Sequence, residues 1–420
     1  MHRRTFLLAT AATLVAQQPD PVSKGTGSLA FVRGGTLWVK DLPDGSPRPL
    51  ATGNEIQMPK FSPSGQWIVF QDGDDMVRLI SADGTSDGKS GNSWPSGQAR
   101  WLPGRDELAV ELDGHSLVFD ADDDWRSPRI ALPGPIGAIS PDGSQRVWES
   151  SDEAGKRLLA GPFNRPTEAQ VIAETKEGGF EVFAFARGGS RFLYWTTDED
   201  GADVWAGPLD IYMAGGAKPV NTGTGSMTTG LGPGMASLSP TADTLAIVVG
   251  EDGNVTNHLR GIALLDISSD SNQPLRKITG PSVTGLHPAW SPDGRQLAWT
   301  QGPDADILFE QLPTTQDYDV ALERAARERR IWVAGNGGLG EQKPLTSDPR
   351  YTDEVPVWSR DGRYILFLRY DEQDAVTHDA VTLWLMRADG TEAREVAALS
   401  EKDDSALPDG PELFDWSARL

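Results

Sequence analysis

The sequence predicts an all-β propeller. Three observations carry the prediction. A phrase of the form aromatic-Ser-Pro-Asp-Gly followed by an apolar run recurs along the chain, glycine and proline are abundant, and the two ends hold complementary parts of one repeat. The 420 residues include 46 Gly and 30 Pro, which signals a fold made largely of turns, while 38% apolar residues leave ample material for a core.

The first element is not part of the fold. Arg3-Arg4 precedes an uncharged stretch from Phe6 to Ala16 that is too short to span a bilayer, which takes about 20 residues. A charged start, a short apolar run and a small residue at Ala16 read as an export signal over residues 1–27, lead-in included. The order Arg-Arg-x-Phe-Leu resembles the twin-arginine signal, with an ordinary secretory signal as the alternative. The expected location is the periplasm or the extracellular space. No later segment has the length and apolarity of a membrane anchor.

From Ser28 the repeats begin. Residues 28–50 lack the opening phrase but contain later strands, Leu29-Ala30-Phe31 and Leu37-Trp38-Val39. The phrase then appears at Phe61-Ser62-Pro63-Ser64-Gly65, Ile139-Ser140-Pro141-Asp142-Gly143, Trp290-Ser291-Pro292-Asp293-Gly294 and Trp358-Ser359-Arg360-Asp361-Gly362. Weaker copies stand at Trp101-Leu102-Pro103-Gly104, Phe185-Ala186-Arg187-Gly188 and Leu238-Ser239-Pro240. The shortest intervals give a unit of about 40 residues, the length of a four-stranded blade. Each phrase is a hairpin: Pro fixes φ at the second turn position and Gly takes the last. The flanking segments are rich in Trp, Phe, Val and Ile, as strands are. A third strand follows, as in Val77-Arg78-Leu79-Ile80 or Leu383-Trp384-Leu385-Met386, then a turn such as Asp83-Gly84 or Asp389-Gly390, then a short fourth strand.

The longest interval separates Ser291 from Ser359, and its excess lies at about 302–330. Within it Tyr318 to Arg330 reads as a helix, with Ala321, Leu322, Ala325 and Ala326 on one face and Glu323 placed four residues before Arg327. The last element, Leu413-Phe414-Asp415-Trp416-Ser417, supplies the strand missing from residues 28–50, so that the N- and C-terminal strands pair and close the ring. The copies and this composite give a single domain over 28–420 with eight four-stranded blades, seven being the alternative.

As a set, the copies of Trp-Ser-Pro-Asp-Gly-x-x-Leu-Ala-Trp resemble the TolB-like β-propeller repeat, which also occurs in the propellers of prolyl-oligopeptidase-type peptidases. The resemblance runs from Ser28 onward. It implies a propeller and an extracytoplasmic setting, without TolB's N-terminal domain and without a hydrolase domain.

Charge and composition narrow the function. With 38 Lys and Arg against 61 Asp and Glu, the formal net charge is −23, which argues against nucleic acid and against anionic membrane surfaces. The absence of cysteine excludes disulfides, thiolate metal sites and a Cys nucleophile. Gly84-Thr85-Ser86-Asp87-Gly88 matches the nucleophile-elbow string, but no helix-forming segment follows it, so it reads as a turn. The Gly-rich stretch Thr222 to Gly234 lacks the βαβ setting of a dinucleotide loop. Asp198, Asp200 and Asp203 could hold calcium on a hairpin tip, although the plainer reading is an acidic turn, and no other cofactor is indicated. The five histidines show no metal-ligand spacing. Arg327, Arg329 and Arg330 form the densest positive cluster and are the candidate ligand contacts.

The expectation is therefore an exported, monomeric, non-catalytic propeller that recognises a protein, peptide or glycan at a channel mouth. The alternative is a propeller-type hydrolase or lyase whose site lies in the central channel.

Overall fold

The computed structural model describes residues 27–417 except 74–75, 86–92, 96–97, 122–124, 154, 177, 186–190, 198–208, 214–219, 222–228, 231–235, 242, 251–259, 267–275, 281–284, 314–317, 372–380 and 400–412. The chain is an all-β propeller. Its sheets are up-and-down and antiparallel, and consecutive strands pair from one edge of each sheet to the other. The first strands of neighbouring sheets meet: Gln57–Phe61 touches Phe414–Ser417, Ala138–Ile139 touches Gly179–Phe185, and Leu286–Trp290 touches Tyr351–Trp358. These first strands are thus innermost, around the ring axis.

Seven sheets are four-stranded blades, which corrects the expectation of eight. The departure lies at the copy Leu238-Ser239-Pro240. There Thr244–Gly250 carries two short strands on one edge, with Thr229–Gly230 opposite Val249 and Val248, and Ala236–Leu238 opposite Ile247 to Leu245. The first strand is thus in two pieces, and the sheet has five strands.

Cores lie between sheets. One cluster joins Leu29, Phe31 and Phe414 of the terminal sheet to Ile68 and Phe70 on one side and Leu366 and Leu383 on the other. Further clusters link Leu79 to Leu108, Val118 to Ile139, Val147 to Phe192, Leu264 to Trp290, and Val333 to Phe367. The terminal sheet closes as expected: Ser28 to Phe31 pair with Ser417 to Phe414, and the Val32 N–H donates to the Leu413 carbonyl at 2.9 Å. The Asp415 carboxylate reaches into the next blade, accepting from the Phe61 N–H at 2.8 Å and lying 3.7 Å from Lys60 Nζ.

The recurring phrase is a hydrogen-bonded device. Gly65, Gly143, Gly294 and Gly362 each donate an N–H to the Ser three residues earlier at 2.8–2.9 Å and take φ between +68° and +72°, where a Cβ would be strained. The Ser hydroxyl accepts the N–H five residues on, as at Gln145, Gln296 and Tyr364, and donates to the turn Asp at 2.6–2.7 Å. That Asp in turn accepts the N–H two residues on, at Ser144, Arg295 and Arg363. Where Ser64 replaces the Asp, the neighbouring blade supplies Asp106, which accepts from the Ser64 N–H at 3.0 Å and from its hydroxyl.

A second device links blades. Three first strands are interrupted at Met58-Pro59, His287-Pro288 and Val355-Pro356, and the residue before each Pro has φ of 53°, 52° and 56°. Proline has no N–H for the ladder, so pairing breaks there. Separately, in three blades the second strand carries a polar acceptor nine positions after the phrase Ser or Ser-equivalent, and it takes an N–H at or just before the first strand of the next blade. Glu111 accepts the Ile136 N–H at 2.6 Å, Glu149 that of Phe180 at 2.7 Å, and Thr300 that of Val355 at 3.2 Å.

Candidate recognition site at the insertion-bearing mouth

Strand polarity puts every connection between second and third strands on one side of the ring, the side where the first strands begin. On that side tight hairpins such as Gly34-Gly35 and Asp113-Gly114 join second and third strands, whereas the connection at 302–329 is far longer and its described residues form two helices.

Helix α1, Ala305–Glu310, starts where Asp304 Oδ1 accepts the N–H groups of Asp306 and Ile307 at 3.0 and 3.3 Å. Helix α2, Tyr318–Arg327, packs on it through Ala305, Leu308, Ala321, Leu322 and Ala325, a core separate from those of the blades. The alanines let the helices approach closely. The Tyr318 hydroxyl donates to Asp306 Oδ1 at 2.6 Å; burial, then this bond, push its pKa up. Its ring meets Phe309 edge-on at 5.2 Å.

The chain leaves α2 onto the rim strand Tyr351–Trp358. Thr352 Oγ1 donates to the Arg327 carbonyl, and the Asp353 N–H donates to the Arg329 carbonyl at 3.1 Å. Beneath, Asp353 and Arg369 form a buried two-bond ion pair at 2.6 and 3.0 Å. The Arg369 guanidinium lies over Trp384 at 4.3 Å and Tyr351 at 4.6 Å. The insertion is therefore seated on a rigid part of the rim.

The structure separates the three candidate arginines. Arg329 Nη1 donates to Glu354 Oε1 at 2.6 Å in a half-buried ion pair. Arg330 Nη1 donates to the carbonyls of Arg329 and Tyr351, both at 2.7 Å, and Arg330 already belongs to the strand Arg330–Ala334. Arg327 ends the helix, exposed, and lines an open cleft of about 310 Å³ with Val320, Glu323, Arg324, Glu328 and Pro349. The helical ion pair there is Arg324–Glu328, at 2.6 Å.

Asp198, Asp200 and Asp203 lie outside the described residues, as do Ser86, Asp87, Gly88, His258 and His378. Among the described residues no group of three or more His, Asp or Glu could hold a metal ion. His115 sits on an exposed hairpin, its Nδ1 3.1 Å from the Asp113 carbonyl, and His287 is 3.4 Å from Thr300 Oγ1.

Two features lay beyond the sequence reading. Helix α1 is too short for a hydrophobic period, and Asp304 was its one start signal. The exposed large apolar side chains are the other. Of five among the described residues, three are on the insertion: Ile307 at 56%, Phe309 at 42% and Val320 at 38% exposure.

No family model matches the chain, and no curated protein does. Solved structures do. A eukaryotic initiation factor aligns with a TM-score of 0.54 at 11% identity, over 90% of this chain and 98% of its own, which shows a common fold. A prolyl endopeptidase aligns at TM-score 0.49 and 10% identity over 92% of this chain, which spans about half (51%) of that protein. TolB from Acinetobacter baumannii aligns at TM-score 0.38 and 14% identity, over 80% of this chain and 67% of TolB. The sheet topology defines the class as a β-propeller. No helix among the described residues is long and apolar enough to cross a membrane.

Proposed function

We propose that the chain is an exported, non-catalytic propeller that binds a protein or peptide at the mouth bearing the two-helix insertion. The observation that carries this reading is the placement of α1 and α2. They are no part of a blade, have their own small core, are fixed to the rim through Thr352, Asp353 and Glu354, and present apolar side chains to solvent. Insertions in repeat proteins concentrate on a binding face. Export rests on the Arg3-Arg4 signal, and Arg327 remains the candidate cationic contact.

The test replaces Gly302–Glu328 by a short Gly-rich turn, which leaves the strand Arg330–Ala334 intact, and compares pull-downs from cell-envelope and secreted fractions. The shortened protein should fold and lose the partner that the full chain captures. Retention of that partner at full affinity refutes the reading. Changing Arg3 and Arg4 to Lys and fractionating cells tests the route: unimpaired export removes the twin-arginine signal, and protein found only in the cytosol removes export.

A further inference from the structure

We infer that the outer surface of the insertion docks a basic, apolar segment of a partner protein. This rests on the reading of the mouth above and adds the chemistry of what binds there. Each exposed apolar residue of the insertion has a carboxylate as its chain neighbour: Asp306-Ile307, Phe309-Glu310 and Asp319-Val320. From Gly302 to Glu323 the sequence holds six carboxylates and no Lys, Arg or His. On α1, Ile307 and Phe309 flank buried Leu308, so the helix keeps one face for its own core and turns apolar groups outward on both sides. A helix whose only purpose was to shield the rim would have polar residues at 307 and 309.

The charge selects the occupant. A second copy of this chain would bring the same acidic edge, on a protein of net charge −23, and an anionic bilayer would be repelled likewise. A segment with Leu- or Phe-like side chains flanked by Lys or Arg fits both features: its apolar groups cover Ile307 and Phe309, and its cations meet Glu310 and Asp319. Exposed apolar groups rimmed by polar and charged residues mark surfaces that other proteins contact.

The experiment uses the full mature chain and a fluorescent amphipathic peptide of leucine and lysine, with its leucine/glutamate counterpart, followed by anisotropy at physiological salt. The lysine peptide should bind and the glutamate peptide should not. Ile307→Ser with Phe309→Ser leaves the charge unchanged but also removes the edge contact of Phe309 with Tyr318, so Ile307→Ser alone is measured beside it and circular dichroism checks that the helices are kept. The double variant should weaken the lysine peptide about tenfold or more, and the single variant in the same direction. Glu310→Gln with Asp319→Asn should weaken it too and flatten its salt dependence. Equal binding of both peptides, or an unchanged affinity in the Ile307/Phe309 variant, overturns the inference. The chain with 302–328 replaced separates the two readings. If it binds the lysine peptide like the intact chain, the mouth itself is not the site. If it loses the peptide while the Ile307/Phe309 variant retains it, the mouth stands and the apolar-acidic surface falls.

Discussion

Closure of the ring by Phe414–Ser417 has the largest calculable consequence. These four residues complete the terminal sheet, and Leu413 and Phe414 are 4% and 5% exposed. Burying two such side chains stabilises by about 3–6 kcal/mol together, and each net hydrogen bond, as from the Phe61 N–H to Asp415, adds about 1 kcal/mol. The total approaches the whole net stability of a typical domain, about 5–15 kcal/mol. Deleting residues 413–420 should therefore leave a chain that aggregates, because two strand edges, Ser28–Arg33 and the neighbouring Gln57–Phe61, lose their cover. The graded version is Phe414→Ala, which should cost about 3–5 kcal/mol. Urea unfolding followed by tryptophan fluorescence reads both, with the midpoint falling and the slope unchanged. A soluble truncated chain with the wild-type midpoint, or a loss below about 1 kcal/mol in the point variant, would refute closure by this strand.

Other outcomes follow from particular contacts. Asp353→Ala strands the buried Arg369 cation and should cost about 3–5 kcal/mol, whereas Asp353→Leu with Arg369→Met should be far milder; equal losses in the two proteins would contradict the account. The turn carboxylates give an acid limb. Burial alone raises Asp142, Asp293 and Asp361, but bonds from the adjacent Ser hydroxyls and N–H groups outweigh it and lower their pKa values, while the Thr85 N–H and hydroxyl hold Asp83 at about 2. A folded-state pKa below the unfolded value gives stability that is complete above the unfolded carboxylate range, near pH 4, and lost as pH falls toward about 2. Changing Asp142, Asp293 and Asp361 to Asn should flatten denaturation midpoints over that window; an unaltered acid limb would show that these turns do not contribute. Glu111→Ala removes the acceptor of the Ile136 N–H between blades and should cost about 1–3 kcal/mol by the same urea assay, with no change counting against the latch.

The blades were legible because Ser-Pro-Asp-Gly is a local device: its hydrogen bonds stay within about six residues, so the string alone defines the hairpin. The terminal sheet was legible for a related reason, since Leu29-Ala30-Phe31 and Leu413-Phe414 are recognisable parts of one unit. The split strand beside Thr244–Gly250 was not, because nothing local tells whether a Gly-rich approach skirts a sheet or pairs with it. Arg329 and Arg330 looked like one cluster with Arg327, but Arg330 opens a strand and Arg329 finds Glu354, a partner on the next blade. The blade-to-blade acceptors Glu111, Glu149 and Thr300 leave a weak trace, a polar residue at one fixed offset that directly follows an apolar stretch. The exposure of Ile307 and Phe309 has none, because it depends on how α2 packs on α1, covering Ala305 and Leu308 and meeting Phe309 only through the edge of Tyr318.

The central claim is that recognition happens at the insertion-bearing mouth. Backbone hydrogen exchange on the full chain, with and without the partner captured by pull-down, tests it most directly. The account predicts slowed exchange at the amides of Ala305–Glu310 and Tyr318–Arg327, with the Ser-Pro-Asp-Gly turns on the opposite side unchanged. Protection confined to those turns, with α1 and α2 exchanging as in the free protein, would contradict it.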